Sequence, residues 1–376
     1  MRILHIITAL GDGGAEHTLY KICKYDKNNE HLVISLKGPG KYYSLLKKIG
    51  VNVYYLNIKF YSINKFFSLV SLIRFLKPNI VQTWLIHADF LGGIAAKLAG
   101  IKNIIWNIRY TKIKFGKSKH TSVMIIKILS YLSFSIPSSI VVVSKIAKKI
   151  YQMEGYDKKK FIYIPNGYDI SLLKSDKIKR KTFRNKIKIK KNTILIGNVA
   201  RYDPKKDHAN LLKALSILKL TNSNFLCILV GARMNKNNIE LNSLIKKLNL
   251  SDKVKLLGQN KNIPEIMNGI DIYVQSSSYG EGFPNVVAEA MSCGTPCIVT
   301  DVGDASYIVD KIGWVVPPND EIRLSKIIDR IANQIGTNKW KKRSKDARLR
   351  IKQNFNIKKM IGSYNKLWTK FEAKFD

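Results

Sequence analysis

Acidic residues are scarce in this chain of 376: 26 Asp and Glu stand against 65 Lys and Arg, a formal charge of +39. An excess of that size points to an anionic partner, whether nucleic acid, an acidic membrane surface or a phosphorylated substrate. A chain also heavy in Ile, Asn and Lys can owe the same charge to coding bias, so both readings stay open. Cysteine is scarce too. Cys23, Cys227, Cys293 and Cys297 show no Cys-x-x-Cys spacing and have apolar or helical neighbours, so reduced, buried thiols in a cytoplasmic protein are expected rather than a disulfide framework. No apolar run is long enough to span a bilayer; Val123 to Ile136 comes nearest and is interrupted by Lys127 and several serines. The opening MRILHIITALGDGG lacks the basic region, longer apolar core and cleavage site of a signal peptide. Neither an internal repeat, a metal-ligating triad nor a persuasive Ser–His–Asp spacing is found, so no bound metal is expected.

What is present is a globular composition, 45% hydrophobic and 10% aromatic, in a chain long enough for two domains of about 150–200 residues. Short apolar runs alternate with helical patterns, the mark of parallel sheets wrapped by helices. In the first half the strand candidates are Arg2–Thr8, His31–Leu36, Asn52–Leu56, Asn79–Trp84, Asn103–Ile108, Ser139–Val143 and Phe161–Ile164, with helices such as Lys65–Leu76 and His87–Leu98 between them. The second half offers Thr193–Ala200, Phe225–Gly231, Lys253–Leu257, Ile270–Val274, Pro296–Thr300 and Gly313–Val316. Between the halves, Pro165-Asn166-Gly167-Tyr168-Asp169 is a turn signal, and the Lys- and Arg-dense stretch 171–192 reads as a linker. The tail from Lys341 onward reads as basic amphipathic helix ending in Trp368, Phe371 and Phe375.

The stretch Glu281 to Cys297, EGFPNVVAEAMSCGTPC, follows a strand and a turn that ends in Gly280. Pro284 sits where a helix begins, and Val287, Ala290, Met291 and Gly294 repeat at helical spacing. Glu281 then lies in the loop and Glu289 on the helix, one turn above Asn285. A helix N-terminus offers unpaired N–H groups and a positive dipole end to an anion, while a carboxylate accepts hydrogen bonds from sugar hydroxyls. A nucleotide diphosphate that bears a sugar needs both.

Other loops carry related chemistry. Gly11-Asp12-Gly13-Gly14-Ala15-Glu16 follows the first strand, where glycines let backbone approach a ligand; Glu16 occupies the third glycine position of a dinucleotide fingerprint, and no Gly-Lys-Ser/Thr is present for a P-loop. His87 opens a helix whose dipole favours the neutral imidazole, and Gly92, Gly93, Ala95 and Ala96 on it allow tight packing. Arg201 and Lys206 flank the turn Tyr202-Asp203-Pro204-Lys205, so two cations can converge on one diphosphate. The strand-end loops at Gly231 and Gly258 are candidate walls of a nucleobase pocket. Arg109, Lys112, Lys114, Lys117, Lys119 and Lys127 lie among Tyr, Phe, Met and Ile up to Ser133, a mixture that suits an anionic lipid surface or, equally, a buried helix with solvated lysines.

In this order the segments resemble the retaining glycosyltransferases of the GT-B fold, in particular the bacterial E-x7-E family that builds capsules, O-antigens and other surface glycans. The resemblance implies two Rossmann-like domains facing across a cleft: an acceptor-binding domain 1–170, the linker 171–192, a nucleotide-sugar-binding domain 193–355, and a helix 356–376 that returns to the first domain. By the same resemblance Arg201 and Lys206 hold the donor phosphates, Glu281 a sugar hydroxyl and Glu289 the ribose. Gly282, Phe283, Pro284, Asn285 and Val286 complete the donor loop, Gly13 and Gly14 line the cleft, His87 contacts the sugar, and Glu16 and Arg109 face the acceptor. It implies front-face transfer of a hexose from a UDP- or GDP-sugar, with retention and with no metal or other cofactor, unlike the two-carboxylate glycosidase scheme. The implied acceptor is a saccharide or polyprenyl-diphosphate-linked saccharide at the inner face of a membrane. A glycine often follows the lysine in the family, and Asp207 stands there here. A nucleotide-sugar epimerase of the same fold is disfavoured by the E-x7-E segment. A nucleic-acid-binding protein is disfavoured because no recognised module or basic–aromatic sheet face is present, and a nicotinamide oxidoreductase is the third alternative.

Overall fold

The computed structural model describes residues 1–58, 62–109, 120–190, 192–260 and 262–372. Lys112, Lys114, Lys117, Lys119 and Phe375 of the sequence reading lie outside them. Two compact units are formed, Met1–Gly167 with Ile357–Asp376, and Tyr168–Asn356.

The first unit holds seven strands: β1 (Arg2–Ile7), β2 (Glu30–Ser35), β3 (Asn52–Tyr55), β4 (Ile80–Trp84), β5 (Ile104–Ile108), β6 (Ser139–Val142) and β7 (Phe161–Tyr163). They form one sheet in the order β3-β2-β1-β4-β5-β6-β7, every pairing parallel. Its helices are α1 (Gly14–Tyr25), α2 (Lys41–Lys48), α3 (Ile63–Leu76), α4 (Ile86–Leu98), α5 (His120–Leu132) and α6 (Lys145–Met153). The strands are apolar on both faces because both are covered. Leu4, Ile6 and Trp106 meet Leu69, Ala95 and Tyr151 on one face, and Ile3, Ile7 and Trp84 meet Leu19 and Tyr42 on the other. A Cβ on Gly92 would stand 2.9 Å from Ile6, and one on Gly93 2.8 Å from the Trp106 indole nitrogen, so the small residues of α4 do permit close approach to the sheet.

The second unit repeats the plan with β8 (Ile194–Val199), β9 (Phe225–Val230), β10 (Val254–Leu256), β11 (Ile272–Gln275), β12 (Cys297–Thr300) and β13 (Trp314–Val316), in the order β10-β9-β8-β11-β12-β13. Its helices are α7 (Lys177–Lys186), α8 (His208–Thr221), α9 (Ile239–Lys247), α10 (Ile263–Gly269), α11 (Asn285–Ser292), α12 (Ala305–Val309), α13 (Glu321–Ala332) and α14 (Asn338–Asn354). The thirteen strands of the described residues lie within two residues of the expected spans. The stretch read as a linker is different: it contains α7, held to the second unit by buried Phe183 and by Arg184, whose guanidinium meets Asp271 at 3.1 Å. The basic tail from Lys341 is divided between two helices. It breaks at Phe355 and Asn356, where buried Phe355 accepts from the Tyr168 N–H, and resumes as α15 (Ile357–Glu372), which covers the first unit's sheet with Met360, Tyr364, Leu367, Trp368 and Phe371.

In each sheet the strand order reverses once, between β1 and β4 and between β8 and β11. Ligands of open α/β sheets bind outside the carboxyl ends of the strands at such a point. The Gly11–Gly14 loop follows β1, His87 follows β4, Arg201 follows β8, and Glu281 follows β11.

Candidate functional site

In the second unit β8 ends at Val199 and the chain turns through Arg201 to a single 3-10 turn, Pro204–Lys206. Asp203 caps that turn by accepting from the Lys205 N–H, and also accepts from Arg201 Nε at 3.2 Å. Asp207 then takes φ 47 and ψ 55, the left-handed conformation glycine favours, and its side chain accepts from the Asn210 N–H to cap α8. Asp207 thus holds a conformation that a glycine would adopt freely, and adds a cap. The loop after β11 rests on this turn, since Ser278 N–H donates to the Lys205 carbonyl and Ser276 Oγ to the Lys206 carbonyl, both at 2.9 Å.

That seating brings Lys206 Nζ to 2.5 Å from Glu281 Oε1, which also accepts from Ser277 Oγ at 2.7 Å. Glu281 is buried, which by itself raises a carboxyl's pKa; the Lys206 ammonium, with the Ser277 hydroxyl and Lys205, outweighs burial and holds it below the ordinary value. Burial, and then the Arg201 charge, lower the Lys205 ammonium, so Arg201, Lys205, Lys206 and Glu281 share one electrostatic neighbourhood. Gly303, at φ 65, lies where a Cβ would meet the Glu281 carbonyl at 2.5 Å, and the Asp304 N–H donates to Gly282 O, so the Glu281-Gly282 backbone is fixed from the β12 side.

Phe283 is buried between Tyr168 and Phe355, at ring-centroid distances of 6.5 and 5.3 Å. Pro284 is the N-cap of α11 and no side chain caps its first turn, so the N–H groups at Asn285 and Val286 point out of the helix end. Asn285 accepts from the Tyr168 hydroxyl at 2.6 Å, and Glu289 lies one turn on, half-buried. The second-unit candidates Arg201, Lys206, Glu281, Gly282, Phe283, Pro284, Asn285, Val286 and Glu289 therefore gather at the ends of β8 and β11 and the start of α11. Ser277 and Tyr168, which hold two of them, went unrecognised in the sequence because a serine in a polar turn and a tyrosine after a Pro-Asn-Gly turn carry no spacing signal. At the Gly231 loop, Gly231 N–H donates to Gly258 O and Tyr202 N–H to Ala232 O, tying the ends of β8, β9 and β10 together.

In the first unit Gly13 is the N-cap of α1, and a Cβ on it would stand 2.4 Å from Glu16 Oε2. The Glu16 carboxylate thus folds back over Gly13 onto its own helix end, where burial raises its pKa. His87 is half-buried on the first turn of α4, and burial followed by the Lys37 charge lowers its pKa, which favours the neutral imidazole. Arg109 is tied down more than the sequence suggests. It donates from Nε to Asn107 at 3.0 Å, from one terminal nitrogen to Asn166 at 2.5 Å and from the other to the Tyr364 hydroxyl at 3.0 Å, and it lies 5.1 Å over the Trp84 ring. Gly13, Gly14, Glu16, His87 and Arg109 sit at the carboxyl ends of β1, β4 and β5.

Among the described residues His5, Cys23 and His31 form a buried cluster of metal-ligand types, with ligand atoms within 4.8 Å of one another. Hydrogen-bond polarity argues against a metal there. The Trp84 indole can only donate, at 3.2 Å to His5 Nδ1, so His5 Nε2 carries the proton and donates at 3.0 Å to His31 Nδ1. His31 Nε2–H then donates to Asp26 at 3.0 Å, and no ring nitrogen keeps a lone pair for an ion. All four cysteines are free and buried, and burial raises their thiol pKa values. A cavity of about 270 Å³ in the second unit, lined by Asp176, Asn268, Asp271 and Trp340, opens before β11 and β12, at the wrong end of the sheet for the chemistry above. No helix of the described residues is long and apolar enough to cross a membrane.

Residues 179–349 match the family described as glycosyl transferases group 1. Over 311 residues the chain is 28% identical to an Escherichia coli enzyme, UDP-Gal:alpha-D-GlcNAc-diphosphoundecaprenol alpha-1,3-galactosyltransferase, covering 80% of this chain and 78% of that one. It is 25% identical to the putative glycosyltransferase EpsF of Bacillus subtilis, with 80% and 79% covered. The structure of Anabaena Alr3699/HepE in complex with UDP superposes with a TM-score of 0.88 at 22% identity, over 98% of this chain and all of that one. The chain has the GT-B fold, and residues 179–349 of its second unit are a glycosyl transferases group 1 domain.

Proposed function

We propose that the protein transfers a hexose, with retention of anomeric configuration, from a nucleotide-diphosphate sugar to a lipid-linked saccharide in capsule, O-antigen or other surface-glycan synthesis. The observation that carries this reading is the Lys206–Glu281 contact between the loops after β8 and β11, at the sheet's switch point, with Arg201 in the same electrostatic neighbourhood and α11 starting four residues after Glu281. An ammonium has three donors, so its pairing with one Glu281 oxygen leaves Lys206 others for phosphate. Arg201, Lys206 and the N–H groups at Asn285 and Val286 take up the charge that develops as the nucleoside diphosphate leaves, the electrostatic stabilisation that dominates such transfers. These groups supply the positive charge without a metal, so chelation by EDTA is expected to leave turnover unchanged. Glu281 orients a sugar hydroxyl and Glu289 the ribose, while neutral His87 and the Gly13–Gly14 backbone orient sugar and acceptor. Glu281 is engaged by Lys206 and Ser277, which suits holding a hydroxyl better than attacking carbon.

A UDP-sugar is favoured over a GDP-sugar by the UDP-galactose and UDP named for two of the relatives, and the diphosphoundecaprenol acceptor of the first favours a lipid-linked acceptor here. Exposed Phe67 and Phe75 on α3, Met124 and Tyr131 on α5, and Phe134 just after it support peripheral contact with an anionic membrane from the cytoplasmic side. A panel of UDP- and GDP-sugars, assayed for donor hydrolysis and for transfer to a polyprenyl-diphosphate sugar, tests the reading. Turnover of one UDP-sugar that Arg201→Ala abolishes is the expected result, and turnover that survives this substitution overturns it.

A further inference from the structure

We propose that Asp89 is a positioning residue for sugar transfer: buried under the turn that presents His87, it clamps the carboxyl ends of β4 and β5 together. Its side chain lies inside the unit, with 1% of its surface exposed, although it belongs to the first turn of a helix whose neighbouring residue His87 is only half-buried. It accepts from Thr83 Oγ1, near the end of β4, at 2.6 Å, and the backbone N–H of Asn107 on β5 lies near enough to favour its ionised form. One carboxyl group therefore joins three pieces of chain: the strand before His87, the helix that carries it, and the strand before Arg109.

The turn between has a reason to need a clamp. Leu85 takes φ 74 and ψ 152, a backbone region that a leucine occupies only when its surroundings over-determine it. The Leu85 carbonyl accepts from the Ala88 and Asp89 N–H groups at 3.0 and 2.9 Å, so the helix start that fixes Asp89 also fixes the strained residue, two positions before His87. A turn freed from Asp89 can relax Leu85 toward negative φ, and His87 moves with it. Asn107 is in turn the partner of Arg109 and of the Tyr364 hydroxyl, so the β5 side of the clamp sets the Arg109 loop as well. The inference rests on the proposed role of His87, and the experiment separates the two.

Asp89→Ala, Asp89→Asn, Thr83→Val and His87→Ala are compared for kcat and KM with the nucleotide sugar turned over fastest in the panel, and for hydrogen exchange of the segments 80–90 and 104–109. Asp89→Ala is expected to lower kcat by about 10- to 100-fold, the scale of a misplaced reacting group. Its KM for the nucleotide sugar stays within about twofold, because the second unit holds the diphosphate. Exchange quickens in both segments and not elsewhere. Asp89→Asn rescues kcat to within about threefold of wild type: its amide oxygen accepts from Asn107, its N–H donates to Thr83, and the Thr83 hydroxyl turns to the Ile105 carbonyl 3.4 Å away. Thr83→Val, which removes one arm of the clamp without opening a cavity, gives an intermediate kcat and faster exchange even where Asp89→Ala fails to fold. Unchanged kcat and exchange in Asp89→Ala or Thr83→Val overturn the proposal, as does an Asp89→Asn enzyme no better than the alanine variant. If His87→Ala keeps full kcat, the role of His87 falls and the catalytic consequence of the clamp falls with it. A dead His87→Ala beside a fully active Asp89→Ala rejects the clamp alone.

Discussion

Two side chains hold the Glu281 carboxylate, the Lys206 ammonium at 2.5 Å and the Ser277 hydroxyl at 2.7 Å, and they differ in how far their chemistry announces them. Arg201, Lys206, Glu281 and Glu289 stand out because a cation pair across a strand-to-helix turn and two acids around a helix start have few structural uses. Ser277, Tyr168 and Asp89 act through one hydrogen bond or two, to partners 4, 117 and 6 residues away respectively, and spacing cannot reveal such pairs. Lys206→Ala is expected to remove transfer and to destabilise the unit, since a buried Glu281 loses its main counter-ion. Breaking a buried pair costs roughly 3 kcal/mol, at the low end here because Lys206 is 22% exposed and Lys205 stands beside it. Denaturant melts should show the loss at pH 7, and Arg201→Ala, exposed, should lose activity without it. Asp89 gives a pH test. Burial, against the Thr83 hydrogen bond and the Asn107 backbone N–H, pushes its carboxyl up to about 7, and its charge adds to burial and Tyr151 in pushing the Tyr156 hydroxyl up as well. A folded pKa above the unfolded one means that this stabilising contribution is whole below about pH 4 and is lost as pH rises through 7. The melting temperature of Asp89→Asn, which has no such titration, should therefore gain on wild type between pH 5 and pH 8. Equal slopes would show that the carboxyl is ionised throughout.

At the level of elements, strands were the easiest to read. Both faces of each sheet are covered, so strands such as Ile80–Trp84 and Phe225–Val230 appear as unbroken runs of buried residues bounded by turn residues. Stretches dense in charge were misread, because composition reports the solvent-facing side of a helix and hides its other side. The α7 segment has Lys and Arg at six of its ten positions, yet one buried Phe183 and the Arg184–Asp271 pair fix it to the second unit. The end of α14 has no breaker residue to mark it, and the division at 355 came only with the family resemblance; the non-helical φ of −131° at Phe355 comes with its contacts to Phe283 and Tyr307. The turn before α8 yields a prediction that separates backbone from side chain. Asp207→Gly keeps the left-handed conformation and loses only the cap, at a cost of a few tenths of a kcal/mol. Asp207→Ala loses the cap and adds left-handed strain, for about 2 kcal/mol in all. Urea midpoints of the two variants decide it; equal losses would mean that the backbone at Asp207 relaxes freely.

For the molecule as a whole, charge is the property that the sequence announces most loudly and the fold explains least. The +39 excess is spread over helices of both units, and α7 and α14 are as basic as anything in the first unit, so net charge alone does not single out a membrane-facing surface. Apolar exposure is more local, and the proposed membrane contact rests on it. Phe67 and Phe75 on α3, and Met124 and Tyr131 on α5, belong to two helices that flank α4 on one side of the first sheet. Each exposed ring that enters the headgroup region gains part of its transfer free energy, whereas lysines spread over the surface add a long-range attraction that salt screens. The two contributions separate in a vesicle assay. The protein should cosediment with phosphatidylglycerol vesicles at 0.1 M salt, much less with phosphatidylcholine, and the binding should weaken as salt rises. The double variant Phe75→Ala, Tyr131→Ala keeps the full +39 and should lose about tenfold in vesicle affinity if the aromatic face is the docking surface, an amount that half of one buried ring's transfer energy would supply. If the charge is coding bias with no preferred face, the double variant and the wild type will bind alike at every salt concentration, and the proposed membrane contact is wrong even though the chemistry at Arg201 and Lys206 stands.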